Sequence, residues 1–323
     1  MESIPLDPPA VVRRAIDLVV EHYVFADIAK SLGDLLAEGL ISGRYDNADV
    51  ASLARMVTED LQSINGDRHL RLVHQIDEIG NMADETEWLA RQAAEAAETM
   101  SGIKRVERLP GNIGLIEFSP TLYSTAIIGE SIVAAMRLVA DTGALILDLR
   151  DLRGGNPNAV VLVCTYLLED ESVHLNTLFM RSAERTSQVW TSPWVPGRRY
   201  AKDKPIWVLI GPDTFSGGEA IAYNLQKLGR ATVVGEPSGG GAHVREGFTL
   251  HPHLELTVPV MRPISPVTEG NWEGTGVQPD VAVPAAEAID HAHQLAVEHL
   301  AGTQLGPALR RELEAVRVQH GED

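Results

Sequence analysis

The chain has 323 residues, with 27 Lys and Arg against 45 Asp and Glu, and its net charge of -18 argues against nucleic acid or an anionic membrane as a partner, since phosphate binding needs clustered cations. At 44% hydrophobic and 22% charged it has a globular composition, long enough for one main core and a smaller domain. Its single cysteine, Cys164, excludes an internal disulfide framework and a cysteine-built metal site, and lies in an apolar run where a small buried hydrophobe is expected.

Taken in order, the N-terminus Met1-Glu-Ser-Ile-Pro-Leu has no basic head followed by an apolar core, and no stretch approaches the length of a membrane span. A cytoplasmic protein is the expectation. Residues 9–64 read as helical, in three amphipathic segments near 11–24, 28–41 and 49–64, with Asp46 and Asp49 as N-cap candidates for the third. Asn65-Gly66 then marks a turn, and His69-Leu-Arg-Leu-Val73 alternates as a short strand with His69 at its mouth. Alone, such a histidine is ordinary and matters only if something pairs with it. Residues 75–100, rich in Glu and Ala, read as helix with a solvated charged face.

From Ile113 the pattern changes to strand (113–118), helix (126–139) and buried strand (144–149), which is the alternation of βαβ architecture. Gly154-Gly155 follows and opens an apolar helix from Ala159; this pair either aims backbone N–H groups into a cleft or only turns the chain. Residues 174–180 and 188–190 read as antiparallel strands, and 192–200 as a surface loop.

The stretch from Lys204 to Gln226 reads as strand, turn and helix. Ile206 to Ile210 is a buried strand broken by Gly211-Pro-Asp213, and helical spacing begins after Ser216. Ser216 therefore stands at a helix N-terminus, where unpaired N–H groups and partial positive charge suit the anion formed when a serine attacks a carbonyl. The Gly217 N–H is placed as an oxyanion donor, and Gly217-Gly218 leave room for a substrate. The same letters, Ser216-Gly-Gly-Glu219, also make a plain capping box. Further on, 231–236 reads as a strand, 237–243 as a Gly-rich loop carrying His243, 248–250 with 254–258 as a hairpin, and 285–318 as helix.

Together these segments resemble the S41 peptidase family, which includes tail-specific proteases, the tricorn core and the modules of the interphotoreceptor retinoid-binding protein. The motifs are Asp148-Leu-Arg150-Asp-Leu-Arg-Gly154-Gly155, with Leu152 where Asn is usual, Thr214-Phe-Ser216-Gly-Gly-Glu219, and Glu273-Gly-Thr-Gly276-Val-Gln-Pro279-Asp280. The resemblance implies an α/β fold with a crotonase/ClpP-like ββα core and an N-terminal three-helix domain. The corresponding division is residues 1–75, a helical domain ending in a short strand; 76–110, a helical connector; and 111–323, the α/β core.

Tail-specific members pair their serine with a downstream lysine, but no lysine follows Lys227, and the segment between His69 and Ile113 is too short and helical for a PDZ domain. The branch without a PDZ domain is therefore expected. Its tricorn-like members use a histidine before the core, which corresponds to His69 in Gly66-Asp-Arg-His69, and a glutamate corresponding to Glu273. The resemblance thus implies a serine peptidase with Ser216, His69 and Glu273 catalytic, Gly217 with Gly154 or Gly155 forming the oxyanion hole, and Glu219, Asp148, Arg150, Thr214 and His243 supporting. His243 is the rival base, disfavoured by its flexible flank. A neutral imidazole base implies activity rising through an apparent pKa of roughly 6 to 7. The expected partner is a peptide or protein substrate, with no cofactor and no metal; a homo-oligomer is left open. The retinoid-binding members imply the alternative, a carrier of a retinoid or fatty acid in which Ser216 is only a helix cap.

Overall fold

The computed structural model describes residues 5–79, 85–168, 171–304 and 306–319. In chain order the elements are α1 (Pro8–His22), α2 (Ala26–Ile41), α3 (Val50–Gln62), β1 (Arg71–His74), α4 (Glu85–Glu98), β2 (Ile103–Leu109), β3 (Ile113–Phe118), α5 (Thr125–Val139), β4 (Ala144–Asp148), α6 (Pro157–Leu167), β5 (His174–Met180), β6 (Arg185–Trp190), β7 (Ile206–Ile210), α7 (Gly217–Lys227), β8 (Thr232–Gly235), β9 (Val244–His251), β10 (Leu254–Ile264), β11 (Val281–Ala282), α8 (Ala288–Ala301) and α9 (Pro307–Gln319). They form two compact units. The first takes residues 1–90, 176–188 and 241–264, and the second 91–175, 189–240 and 265–323.

In the first unit α1 and α3 start at side-chain caps, whereas α2 starts after Phe25 without one. Asp7 accepts the Ala10 N–H ahead of two prolines that lose no hydrogen bond in a first turn, and Asp49 accepts the Ser52 N–H at 2.7 Å. Apolar side chains three or four apart, Val12, Ala15 and Val19, then Leu32 and Leu36, then Leu53, Val57 and Leu61, form one buried face on each helix. That face closes on the alternate residues Leu254, Leu256, Val258 and Val260 of β10. The 11-residue β10 organises the sheet: it pairs antiparallel with β9 along its length, with β1 at Leu256↔Leu72, and with β5 at Pro263↔Leu178.

The second unit is built on a six-stranded sheet in the order β11-β8-β7-β4-β3-β2, parallel except for β2 against β3. Every residue of β3, β4 and β7 is buried, as parallel strands covered on both faces must be. One face, through Ile113, Leu115, Ile146 and Leu209, packs on Ala288, Ala292 and Ala296 of α8 and on Leu313 of α9. The turn after β7 leads straight into α7.

Three expectations are corrected. Residues 75–79 are not helical; Gln75 N–H donates to the His253 carbonyl at 2.9 Å, so the chain stays tied to the β9–β10 turn. Residues 80–84 lie outside the described residues, and among the described residues the expected helix is α4. Within the expected helical connector, residues 103–109 are the strand β2, whose apolar residues Ile103, Val106 and Leu109 recur every third position and mimic a helix. A bulge after Ile103, which pairs Arg105 with Glu117, breaks the alternation that marks a strand. The C-terminal helix is two helices, α8 and α9, with a break at residues 302–306. Between β1 and β3 the described residues hold α4, one 3-10 turn and β2, in keeping with the branch lacking a PDZ domain. No helix among the described residues is long and apolar enough to cross a membrane.

Candidate active site

In the second unit, Ser216 is the N-cap of α7, with φ of 49° and ψ of -113°. An ordinary N-cap is extended, and a positive φ on a residue with a Cβ costs about 1–3 kcal/mol and persists only where the surroundings impose it. The surroundings here are specific. Thr214, fully buried, donates its hydroxyl to the Leu149 carbonyl at 2.8 Å and accepts the Gly211 N–H at 2.9 Å, which closes the turn after β7. Phe215 N–H donates to the Leu152 carbonyl at 3.0 Å, so the turn after β7 is tied to the loop after β4.

That second loop carries Gly154 and Gly155, with φ of 135° and 141°. A Cβ on Gly154 would stand 3.1 Å from the Ser216 Cβ and 3.5 Å from its Oγ. A Cβ on Gly155 would strike the Leu122 backbone, so both positions require glycine. A Cβ on Gly217 would lie 3.2 Å from the Gly155 nitrogen, which puts the Gly217 and Gly155 backbones side by side next to Ser216. The loop is anchored by Arg150, which donates Nε and Nη2 to the buried Asp148 carboxylate at 2.9 and 2.7 Å and Nη1 to the Ala285 carbonyl at 2.6 Å.

Glu219, 0% exposed, ties the Ser216 turn to two more loops. Its Oε2 accepts the Ser216 N–H at 2.8 Å, and its Oε1 accepts the Ser238 hydroxyl at 2.6 Å and the Gly240 N–H at 2.7 Å. The Ser238 hydroxyl in turn accepts the Val277 N–H at 2.7 Å, and the Gly240 carbonyl accepts the Gly274 N–H at 2.9 Å. Glu273 precedes that contact, half-buried, with its N–H donated to Asn271 Oδ1 at 2.9 Å; its neighbour Trp272 packs on Tyr223 of α7, ring centroids 4.9 Å apart. One carboxylate thus joins Ser216, the Gly-rich loop and the Glu273 segment.

His69 and His243 belong to the first unit, and both are buried, at 4% and 2% exposed. His69 is pinned by its backbone: its carbonyl accepts the Thr257 hydroxyl at 2.6 Å, and its N–H donates to Asp67 Oδ1 at 3.0 Å. Burial disfavours the charged ring and pushes the His69 pKa down to about 4. His243 Nδ1 lies 3.0 Å from Asp67 Oδ2, and its ring meets Phe25 edge-on at 5.4 Å. Asp67 was missed in the sequence because Asn65-Gly66-Asp67 reads as an ordinary turn; the available signal was a carboxylate two residues before the candidate histidine. Cys164 is buried, and its thiol is pushed up to about 12 by that burial.

Residues 112–283 match the model of peptidase family S41, and residues 6–106 match the N-terminal domain of that family in the eukaryotic interphotoreceptor retinoid-binding protein. A curated relative, the carboxyl-terminal-processing protease of Synechocystis, is 24% identical over 242 residues, 74% of this chain and 53% of its own length. The chain therefore spans about half the length of that relative. Among solved structures, a putative peptidase from Parabacteroides merdae superposes with a TM-score of 0.63 at 17% identity, covering 90% of this chain and 97% of the other. The photosystem II D1 C-terminal processing protease gives 0.54 at 15%, covering 87% and 94%. The tricorn protease gives 0.59 at 13%, covering 92% and 37%. At these identities the likeness is one of fold.

Proposed function

Because the chain belongs to peptidase family S41, we propose that it is a serine peptidase in which Ser216 is the nucleophile and His69 the general base. Ser216 Oγ bonds to the substrate carbonyl carbon as its proton passes to His69, and that proton then goes to the leaving amine as the C–N bond breaks. Water, deprotonated by the same histidine, then bonds to the acyl carbon, and the proton goes to Ser216 Oγ as the C–Oγ bond breaks and the acid leaves. The Gly217 N–H with that of Gly154 or Gly155 holds the oxyanion, and Glu273 supports the charged imidazole. Burial keeps the His69 ring in the unprotonated form a base needs but weakens it as a proton acceptor, and the negative charge of Glu273 is the group proposed to offset that. The substrate is a peptide or protein, and removal of a carboxyl-terminal segment is the specific reaction proposed.

The observation that carries this reading is the left-handed backbone of Ser216 against Gly154. A serine that only capped a helix would rest in the extended region and would not need glycine backbone packed on its side chain. A fluorophosphonate probe is expected to label the protein, with the adduct on Ser216 by mass spectrometry and none on Ser216→Ala. Labelling elsewhere, or none, would overturn the assignment.

The match of residues 6–106 to the retinoid-binding protein's N-terminal domain supports one second reading, a hydrophobic-ligand carrier. Stoichiometric retinol or fatty-acid binding that survives Ser216→Ala, with no cleavage of a peptide library, would favour it.

A further inference from the structure

We propose that Asp67 is a positioning residue of the peptidase site, one buried carboxylate that fixes His69 through its backbone and His243 through its ring. The inference rests on the reading of His69 as base; it adds one residue, Asp67, and gives His243, already read as supporting, its partner. Three groups converge on this carboxylate: the His69 N–H on Oδ1 at 3.0 Å, and the Tyr23 hydroxyl and His243 Nδ1 on Oδ2 at 2.9 and 3.0 Å.

The His69 N–H and the Tyr23 hydroxyl are donors, one on each oxygen, so both Asp67 oxygens accept, and an ionised carboxylate then takes His243 Nδ1 as its third donor. Burial by itself would raise the Asp67 pKa, but the bonds from His243, Tyr23 and His69 outweigh it and hold the group below its usual value. His243 is thereby fixed with its proton on Nδ1, as an orienting carboxylate fixes an imidazole.

The donors are themselves held. Asn65 Nδ2 donates to the Tyr23 hydroxyl at 2.7 Å, and the Tyr23 carbonyl accepts Arg181 Nε at 2.7 Å. Thr257 of β10 grips the His69 carbonyl from the other side. The result is a base whose main chain is clamped at both N–H and C=O, one clamp running through a carboxylate only 1% exposed. Stability alone does not call for this, because an apolar side chain of similar size avoids the cost of burying a charge. Placement of a catalytic ring does call for it.

The test is the kinetics of a cleaved peptide together with imidazole ¹⁵N spectra. Asp67→Asn keeps the shape but turns one acceptor into a donor facing donors. It is expected to lower kcat about 10–100-fold, the usual loss for an orienting partner, with KM held within about two-fold and the fold retained. The His243 proton is expected to move from Nδ1 to Nε2. Tyr23→Phe removes a single donor and is expected to lower kcat about 2–10-fold, so a test remains where Asp67→Asn does not fold. A folded Asp67→Asn enzyme with unchanged kcat, or a folded Tyr23→Phe enzyme with unchanged kcat where the first variant fails to fold, overturns the proposal. So does a His243→Gln variant as inactive as His69→Gln, which would make His243 the base. A wild type that neither labels nor cleaves sinks the peptidase reading and this one with it, whereas an active wild type matched by Asp67→Asn sinks this one alone.

Discussion

Glu219→Gln isolates the group that holds the Ser216 backbone in place. The carboxylate accepts three donors, one on Oε2 from Ser216 and two on Oε1 from Ser238 and Gly240, with no exposure to water. Glutamine offers one oxygen. If that oxygen stays on the Ser238 side, the new NH₂ group faces the Ser216 N–H; if it flips, two bonds are lost instead of one. The smaller loss is one charge-assisted bond plus a buried donor left unmet, together about 2–4 kcal/mol. For a unit of this size each kcal/mol shifts Tm by about 2–4 °C, so Tm is expected to fall by roughly 5–15 °C. Because the lost bond is the one on Ser216 itself, fluorophosphonate labelling is expected to slow more than about ten-fold at temperatures where the variant is fully folded. A Glu219→Gln protein with wild-type Tm and labelling rate would refute the reasoning, and would mean that Ser216 is held by the turn alone.

Gly154→Ala places a methyl 3.1 Å from the Ser216 Cβ and is expected to lower turnover by about 10² or more, the scale of a lost oxyanion donor, in a protein that still folds. Gly155→Ala drives a methyl into the Leu122 backbone and is expected to lower Tm sharply; circular dichroism melts separate the two. With His69 as the proposed base and its pKa pushed down to about 4, the acid limb of kcat/KM is expected near pH 4 rather than at the 6 to 7 of an ordinary imidazole. The same depression makes the unfolded chain bind the proton more readily, so stability is expected to rise with pH between about 4 and 6.5 and level above, a slope that His69→Gln removes in pH-dependent urea titrations. Cys164, buried with its thiol pushed up to about 12, is expected to resist iodoacetamide until the protein is unfolded.

The second unit was largely legible because its signals are local. Continuous apolar runs gave β3, β4 and β7, and the change of period at Ser216 gave the start of α7 to the residue. The glycine pair at 154–155 could be seen but not its reason, since the Leu122 backbone that enforces it lies 33 residues earlier in the chain. β2 was hidden because its apolar residues Ile103, Val106 and Leu109 recur every third position, a helical rhythm in a strand. Asp67 was hidden for a different reason: its partners Tyr23 and His243 stand 44 and 176 residues away, and no spacing rule reaches that far. His243 looked unfit because its glycine neighbours suggested mobility, yet side-chain burial and the bond to Asp67 hold it where its own flank does not.

The first unit is assembled from three separated stretches of chain, with consequences for how the protein is made. On the ribosome the three N-terminal helices emerge early with Val12, Val19, Leu53 and Val57 bare, and the strand that covers them, β10, is not synthesised until residues 254–264. Most of the second unit's parallel sheet, β2 through β8, is translated in between. At about 5–20 residues per second this leaves the helices uncovered for tens of seconds, a long interval for exposed apolar surface and a natural one for a chaperone to hold them. A fragment ending at residue 75 carries the same exposed face and is expected to aggregate, whereas adding residues 241–264 in trans supplies the missing strand.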